Sequence, residues 1–187
     1  MKLYFIRHGE SETNLAGHYT GWAQVNLTEK GVRDAEGVRP ILEGIKFDKI
    51  FSSDLIRAMR TAETAIPGCV YETTPLLREV NVGNLALKPF PPSGDPRRKL
   101  MADGFAPFGG ESYAELRARV VEFLEKAKTL DCDTVAAFTH AGFLRNMLSI
   151  ILSANISKMN FVCSNCCIVI LELRGENWML SGIINPQ

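Results

Sequence analysis

Apolar residues in this chain fall into short continuous runs that alternate with longer stretches of helical spacing. Leu3-Tyr4-Phe5-Ile6 is a continuous run, as expected of a strand covered on both faces. A helix is expected from Thr28, which fits an N-cap, with Val32, Ala35 and Leu42 on one face. Pro40 lies inside that pattern and should kink or shorten it. Lys49-Ile50-Phe51-Ser52 reads as a second strand, followed by a helix capped by Ser53 or Asp54 and carrying Leu55, Ala58, Met59, Ala62 and Ile66. Cys69-Val70-Tyr71 reads as a third strand, and Glu111 to Lys128 as a helix with Leu116, Val120, Phe123 and Leu124 as its stripe. Val135 to Thr139 is another buried strand, leading into His140-Ala141-Gly142 and a helix bearing Leu144, Met147, Leu148 and Ile151. Cys166 to Leu173 and Trp178 to Ile184 close the pattern as a hairpin turned at Gly175.

Strand then helix, repeated, predicts an α/β fold: a three-layer α/β/α sandwich around a mostly parallel sheet. There is no internal repeat, and residues 1–187 read as one domain. Lys88 to Gly110 holds most of the prolines, so about 84–110 is expected to form a short lid insertion. Ligands of such sheets bind at the carboxyl ends of the strands. Arg7 and His8 follow the first strand, Arg57 lies just inside the helix after the second, and His140 follows the Val135 strand. Residues far apart in sequence are thereby expected at one edge.

Composition narrows the partners. The chain is 46% hydrophobic and 22% charged with a formal net charge of zero, so neither a disordered tail nor general nucleic-acid binding is expected. Affinity for an anion must then come from a few placed cations. No apolar run approaches the roughly 20 residues of a membrane span. Met1 to His8 is too short for a signal peptide. Five cysteines, an odd number, fit free thiols in a reducing compartment, so a cytoplasmic location is expected.

Two arginines and two histidines at one edge suit a tetrahedral oxyanion, phosphate above all. Helices starting near Asp54 and Ala141 would add their amides and positive dipole ends. A histidine inside such a site can attack phosphorus if one ring nitrogen is bare and the other is held by an acceptor. A carboxylate from a loop above the edge would supply the acid.

The residues also resemble a family. Leu3 to Ser11, followed by Asn14, is similar to the signature of the histidine phosphatase superfamily in its phosphoglycerate mutase-like branch. Leu27-Thr28 with Gly31, Ser52 to Ala58 with Thr61-Ala62, Leu77-Arg78-Glu79, Gly109-Gly110-Glu111-Ser112 and Thr139-His140-Ala141-Gly142 follow in the family's order, across nearly the whole chain. The resemblance implies that His8 accepts the phosphoryl group, that Arg7, Arg57 and His140 complete its pocket, and that Glu79 is the proton donor. It implies that Asn14, Thr20, Gly21 and the backbone of Ala141 touch the transferred phosphate. The family uses no metal, so neither a metal nor another cofactor is expected. One departure is local: many members continue into Gly-x-Trp-Glu-Gly, whereas here Gly83 is followed by Asn84-Leu85-Ala86-Leu87.

The expected activity is hydrolysis of a small phosphorylated metabolite, of the kind cleaved by α-ribazole or broad-specificity phosphatases. The alternatives are a mutase or a non-catalytic phospho-ligand binder. Thr20-Gly21-Trp22 is mutase-like. Only about thirty residues separate Glu79 from Glu111, and the chain ends soon after its last strand; both features favour hydrolysis over transfer. Every catalytic position is filled, which disfavours a binder. Glu10 is the reserve acid, and Glu79 could instead pair with Arg78. His18 is expected to be an exposed loop residue, Cys163, Cys166 and Cys167 to be buried packing residues, and Arg97-Arg98-Lys99 a solvated face that could meet a second anionic group. Substrate identity and oligomeric state are not legible.

Overall fold

The computed structural model describes residues 1–92, 102, 104–154 and 162–186. Its strands are β1 (Lys2–Arg7), β2 (Lys49–Ser52), β3 (Glu72–Thr73), β4 (Thr134–Thr139), β5 (Ile168–Arg174) and β6 (Asn177–Ile184). They form one sheet in the order β3-β2-β4-β1-β5-β6. The first four run parallel, and β5 and β6 join antiparallel beside β1. Its α-helices are α1 (Glu12–Ala16), α2 (Glu29–Gly37), α3 (Arg39–Leu42), α4 (Ile56–Ala65), α5 (Tyr113–Lys128) and α6 (Ala141–Ile151).

The period-two alternation of the central strands divides the core into two layers. Leu3 and Phe5 of β1 and Val135 and Ala137 of β4 face α5 and α6, where Phe5, Phe123 and Phe143 meet at ring-centroid distances of 5.8–6.2 Å. Ile6, Ala136 and Phe138 face the other way, onto the small residues Ala35 of α2 and Ala58 and Ala62 of α4. Small side chains let these helices lie close to the sheet. A β-carbon at Gly9 would sit 2.3 Å from the Gly31 carbonyl oxygen, so the loop after β1 rests directly on the first turn of α2.

Several elements differ from expectation. The Thr28 helix breaks at Val38, because Pro40 cannot donate into a continuing helix and instead occupies the first turn of α3. Val32 is exposed; the buried face of α2 is the Gly31–Ala35 side. Neither Ser53 nor Asp54 caps α4. Its N-cap is Leu55, and the Ile56 amide donates to the side-chain oxygen of Gln24 (2.9 Å). The third strand is Glu72–Thr73, not Cys69-Val70-Tyr71: the turn at Gly68 delays pairing with β2, and Val70 is 91% exposed. β5 starts at Ile168 because Cys166 adopts positive φ (57°). Helix α1, capped by Ser11 and Asn14, was not foreseen. Among the described residues no helix is long and apolar enough to cross a membrane.

Candidate active site

Strand pairing builds the site. Arg7 lies opposite Thr139 across β1 and β4, so His8 and His140 leave the sheet side by side, ring centroids 5.1 Å apart. The His8 backbone is fixed at both ends: its amide donates to the Thr139 carbonyl (3.0 Å), and its carbonyl accepts from the Asn165 side chain (3.1 Å). Its ring is fixed as well. Nδ1 lies 2.7 Å from the Gly9 carbonyl, which can only accept, and Nε2 lies 3.3 Å from Arg57 Nε, which can only donate. Both partners select the same tautomer, proton on Nδ1 and lone pair on Nε2. Burial first, then the positive charges of Arg57 and Arg7, hold the His8 pKa well below its usual 6.5, against an opposing pull from the Gly9 carbonyl. The imidazole is neutral, with the form of a nucleophile.

Cations surround it. Arg57 is fully buried and donates to the carbonyls of Gly21 (2.9 Å) and Ala23 (3.1 Å). Burial lowers its pKa to about 10, with Glu79 countering, and it still carries its charge at neutral pH. Arg7 donates through Nη1 to the Cys163 carbonyl, while its buried Nε has no partner. His140 is buried with neither ring nitrogen bonded; desolvation, then Arg57, His8, Arg7 and Arg119, depress its pKa. Unspent donors are costly to bury. Two such donors, Arg7 Nε and the single N–H of a neutral His140, lie around the His8 imidazole without a partner.

These groups open on a cavity of about 630 Å³. Arg7, His8, Arg57 and Glu79 line it, as do Asn14, Thr20, Gly21 and Ala141. His140 stands behind this wall, against His8, rather than on it. Gly21 has positive φ (53°), and a β-carbon there would meet Val82 at 2.5 Å. His18 corrects its expectation: it is partly buried and lines the cavity, because the lid strand-bridge to Pro89 folds its loop inward. The lid contributes Phe90, Ala102 and Phe105. Arg97, Arg98 and Lys99 lie outside the described residues.

Glu79 is held from both flanks. Its carboxylate accepts from the amides of Val80 (2.8 Å) and Gly142 (3.2 Å). A β-carbon on Gly142 would come within 2.1 Å of that carboxylate, so glycine at the second residue of α6 is what admits it. The Glu79 carbonyl accepts from Trp22 Nε1 (2.7 Å) and from Arg119 (3.2 Å), which also grips the carbonyls of Leu76 and Arg78 and makes a two-pronged ion pair with Glu111. Arg78 pairs with Asp54 (2.7 Å), not with Glu79, and stacks over Trp22 (4.6 Å). The missing Trp-Glu pair after Gly83 therefore does not leave Glu79 unsupported. Glu10 is bonded to the Thr28 hydroxyl (2.8 Å) and is absent from the cavity wall.

Sequence reasoning missed Asn165, Arg119, Arg145 and Asn146. Arg119 was detectable only as a cation two helical turns from Glu111; Arg145 and Asn146 sit in an otherwise apolar helix, which hides a face turned to the cavity. Cys163, Cys166 and Cys167 are buried and free, as expected. Among the described residues no group of three or more His, Cys, Asp or Glu is placed to hold a metal.

Residues 3–186 match the histidine phosphatase superfamily (branch 1). The chain belongs to that superfamily. Within it, the chain is 51% identical over 69 residues to 2,3-bisphosphoglycerate-dependent phosphoglycerate mutase 2 of Latilactobacillus sakei, a match covering 36% of this chain and 30% of that mutase. It is 29% identical over 169 residues to the adenosylcobalamin/alpha-ribazole phosphatase of Salmonella typhimurium, covering 82% of this chain and 80% of the relative. A phosphoserine phosphatase mutant from Entamoeba histolytica, solved in complex with phosphoserine, superposes with a TM-score of 0.85 at 25% identity over 100% of this chain and 98% of its own. The superfamily's phosphatases and mutases thus share this α/β fold, and the chain is similar to both.

Proposed function

We propose that this histidine phosphatase is a metal-independent phosphomonoesterase that hydrolyses a small phosphorylated metabolite through a phosphohistidine on His8. The observation that carries the reading is the division of labour in the His8 ring, with Nδ1 bonded to the Gly9 carbonyl and Nε2 unprotonated, facing the Arg57 guanidinium. Nε2 attacks phosphorus as the bond to the ester oxygen breaks. Arg7 and Arg57, which line the cavity, stabilise the equatorial oxygens, the electrostatic help that phosphoryl transfer needs most, and His140 backs the His8 ring from behind them. Glu79 gives its proton to the leaving alcohol. It then takes one from a water that attacks the phosphohistidine, releasing phosphate and restoring His8.

Relatives of both kinds support the class of chemistry, and the choice between them rests on the lid. Only about thirty residues separate Glu79 from Glu111, an insertion short enough to let water reach the phosphoenzyme. The five free thiols fit the reducing cytoplasm, where we place the protein. Hydrolysis of an aryl phosphate in EDTA, by wild type and His8→Ala, tests the reading. Activity should survive the chelator and fall by a factor of about 10³ or more in the variant. Activity lost to EDTA, or retained by His8→Ala, would overturn it.

A further inference from the structure

Two side-chain amides beside His8 are strung between backbone groups of fixed polarity. The His8 carbonyl can only accept, so the Asn165 atom 3.1 Å from it is Nδ2. The Ser11 amide can only donate, so the Asn14 atom 3.2 Å from it is Oδ1. Between these ends Asn165 Nδ2 also donates to Asn14 Oδ1 (3.3 Å). The amide orientations are therefore set from both ends of the run. With Oδ1 taken by two donors, Nδ2 is the group Asn14 has left, and among the described residues it meets no acceptor. Asn14 lines the cavity with Arg7 and His8, whereas Asn165 stands behind them and does not. Anything Asn165 does for a ligand must pass through Asn14 or His8.

We propose that Asn165 is a positioning residue: it locks the Asn14 carboxamide with its NH2 group toward the cavity, so that Asn14 meets a phosphoryl oxygen as a donor. The inference relies on the phosphomonoesterase reading for the position of the phosphoryl group beside His8. An amide that is free to turn can present either end, and its oxygen would repel the anion. A donor aimed before the charge arrives costs no reorganisation when it does. The opposite flip of Asn14 would set its NH2 against two donors, the Ser11 amide and Asn165 Nδ2, so the lock has a defined sign. His8 depends on Asn165 far less. Its carbonyl also accepts from the Cys166 amide (3.3 Å), its own amide donates to the Thr139 carbonyl (3.0 Å), and the Gly9 amide donates to the buried Thr61 hydroxyl (3.0 Å). With those ties in place, loss of Asn165 falls on Asn14 first.

Nuclear magnetic resonance reads the lock without turnover. In isotope-labelled wild type, the Asn14 side-chain signals are assigned by their loss in Asn14→Ala. Inorganic phosphate, added until the His8 signals stop moving, should shift one Asn14 Nδ2 proton downfield. Asn165→Leu keeps the branching of the side chain but has no donor, and the same phosphate should then leave the Asn14 signals nearly unmoved. Asn165→His, whose Nδ1–H takes a similar place, should restore the shift. Where Asn165→Leu does not fold, Asn165→Asp, of the same shape and equally without a donor, replaces it. Kinetics give the second readout. On an aryl phosphate, Asn165→Leu and Asn14→Ala should each lower kcat/KM by about tenfold, as for one lost hydrogen bond, and the double variant should fall less than about threefold below Asn14→Ala. A purely structural Asn165 would instead make the two losses multiply, to about a hundredfold. An Asn14 signal unmoved by phosphate in wild type, a shift that survives Asn165→Leu, or multiplying losses would each overturn the assignment. Failure of the phosphomonoesterase reading looks different: wild type would hydrolyse no ester, while phosphate still shifted Asn14 in wild type and not in Asn165→Leu.

Discussion

At the scale of single residues, the site works by withholding partners. Thermodynamics records the cost. The fold keeps His8 and His140 neutral well below the usual 6.5, while the unfolded chain protonates them near it. As pH falls through 6.5 the unfolded state binds more protons, so stability is lost in that direction. Urea unfolding between about pH 5 and 6.5 should therefore show a shallower loss in His8→Gln than in wild type; equal slopes would contradict the depressed pKa. Glu79 makes a separate prediction. Glu79→Gln should slow alkyl phosphates by about 10²–10³ and aryl phosphates by less than about tenfold, because only the poor leaving group needs the proton. Equal slowing would remove Glu79 from the acid's role. Arg7, His8, Arg57 and His140 were legible because each follows an apolar strand or opens the next helix. Asn146 was not, since a lone amide in an apolar helix carries no sequence signal of its surroundings.

At the scale of elements, the aim of the Glu79 side chain depends on two contacts between segments remote in sequence. Gly142→Ala should favour helix α6 by up to about 1 kcal/mol in intrinsic propensity, yet its β-carbon displaces the Glu79 carboxylate. Its kinetics should therefore mimic Glu79→Gln, with thermal stability largely kept; an alkyl phosphatase rate like wild type would show that the contact does not matter. Arg119→Met removes the clamp from three carbonyls and leaves Glu111 unpaired at 14% exposure. Destabilisation of about 3 kcal/mol is expected in denaturant titration, together with a drop in kcat for alkyl esters. Strands and helices with long apolar patterns were readable, and Pro40 broke its helix as its missing amide requires. The two-residue β3 was misplaced because so short an edge pairing is set by where the turn at Gly68 releases the chain. Helix α1 is five residues held by its caps, below the length at which periodicity speaks.

At the scale of the whole molecule, a chain of zero net charge places two arginines, Arg7 and Arg57, around the sheet edge where β1 and β4 end together. The α/β fold class was legible because strands alternate with helices along the chain, whereas the strand order was not. What the cavity accepts was not, because its far wall is assembled from α6, the lid and the loop at His18. The short lid predicts that water outcompetes added alcohols for the phosphoenzyme, so a generic acceptor such as glycerol should leave the yield of inorganic phosphate nearly unchanged. A large diversion into phosphoglycerol would favour the mutase alternative. The central claim is the covalent intermediate, and one measurement meets it directly: mixing the protein with a phosphomonoester, quenching in alkali within the first turnovers, and mapping phosphorylation by peptide mass spectrometry. A single phosphoryl group on His8, absent from His8→Ala, is the predicted result. A turning-over enzyme with an unmodified His8, or with the phosphoryl group on another residue, would contradict the account.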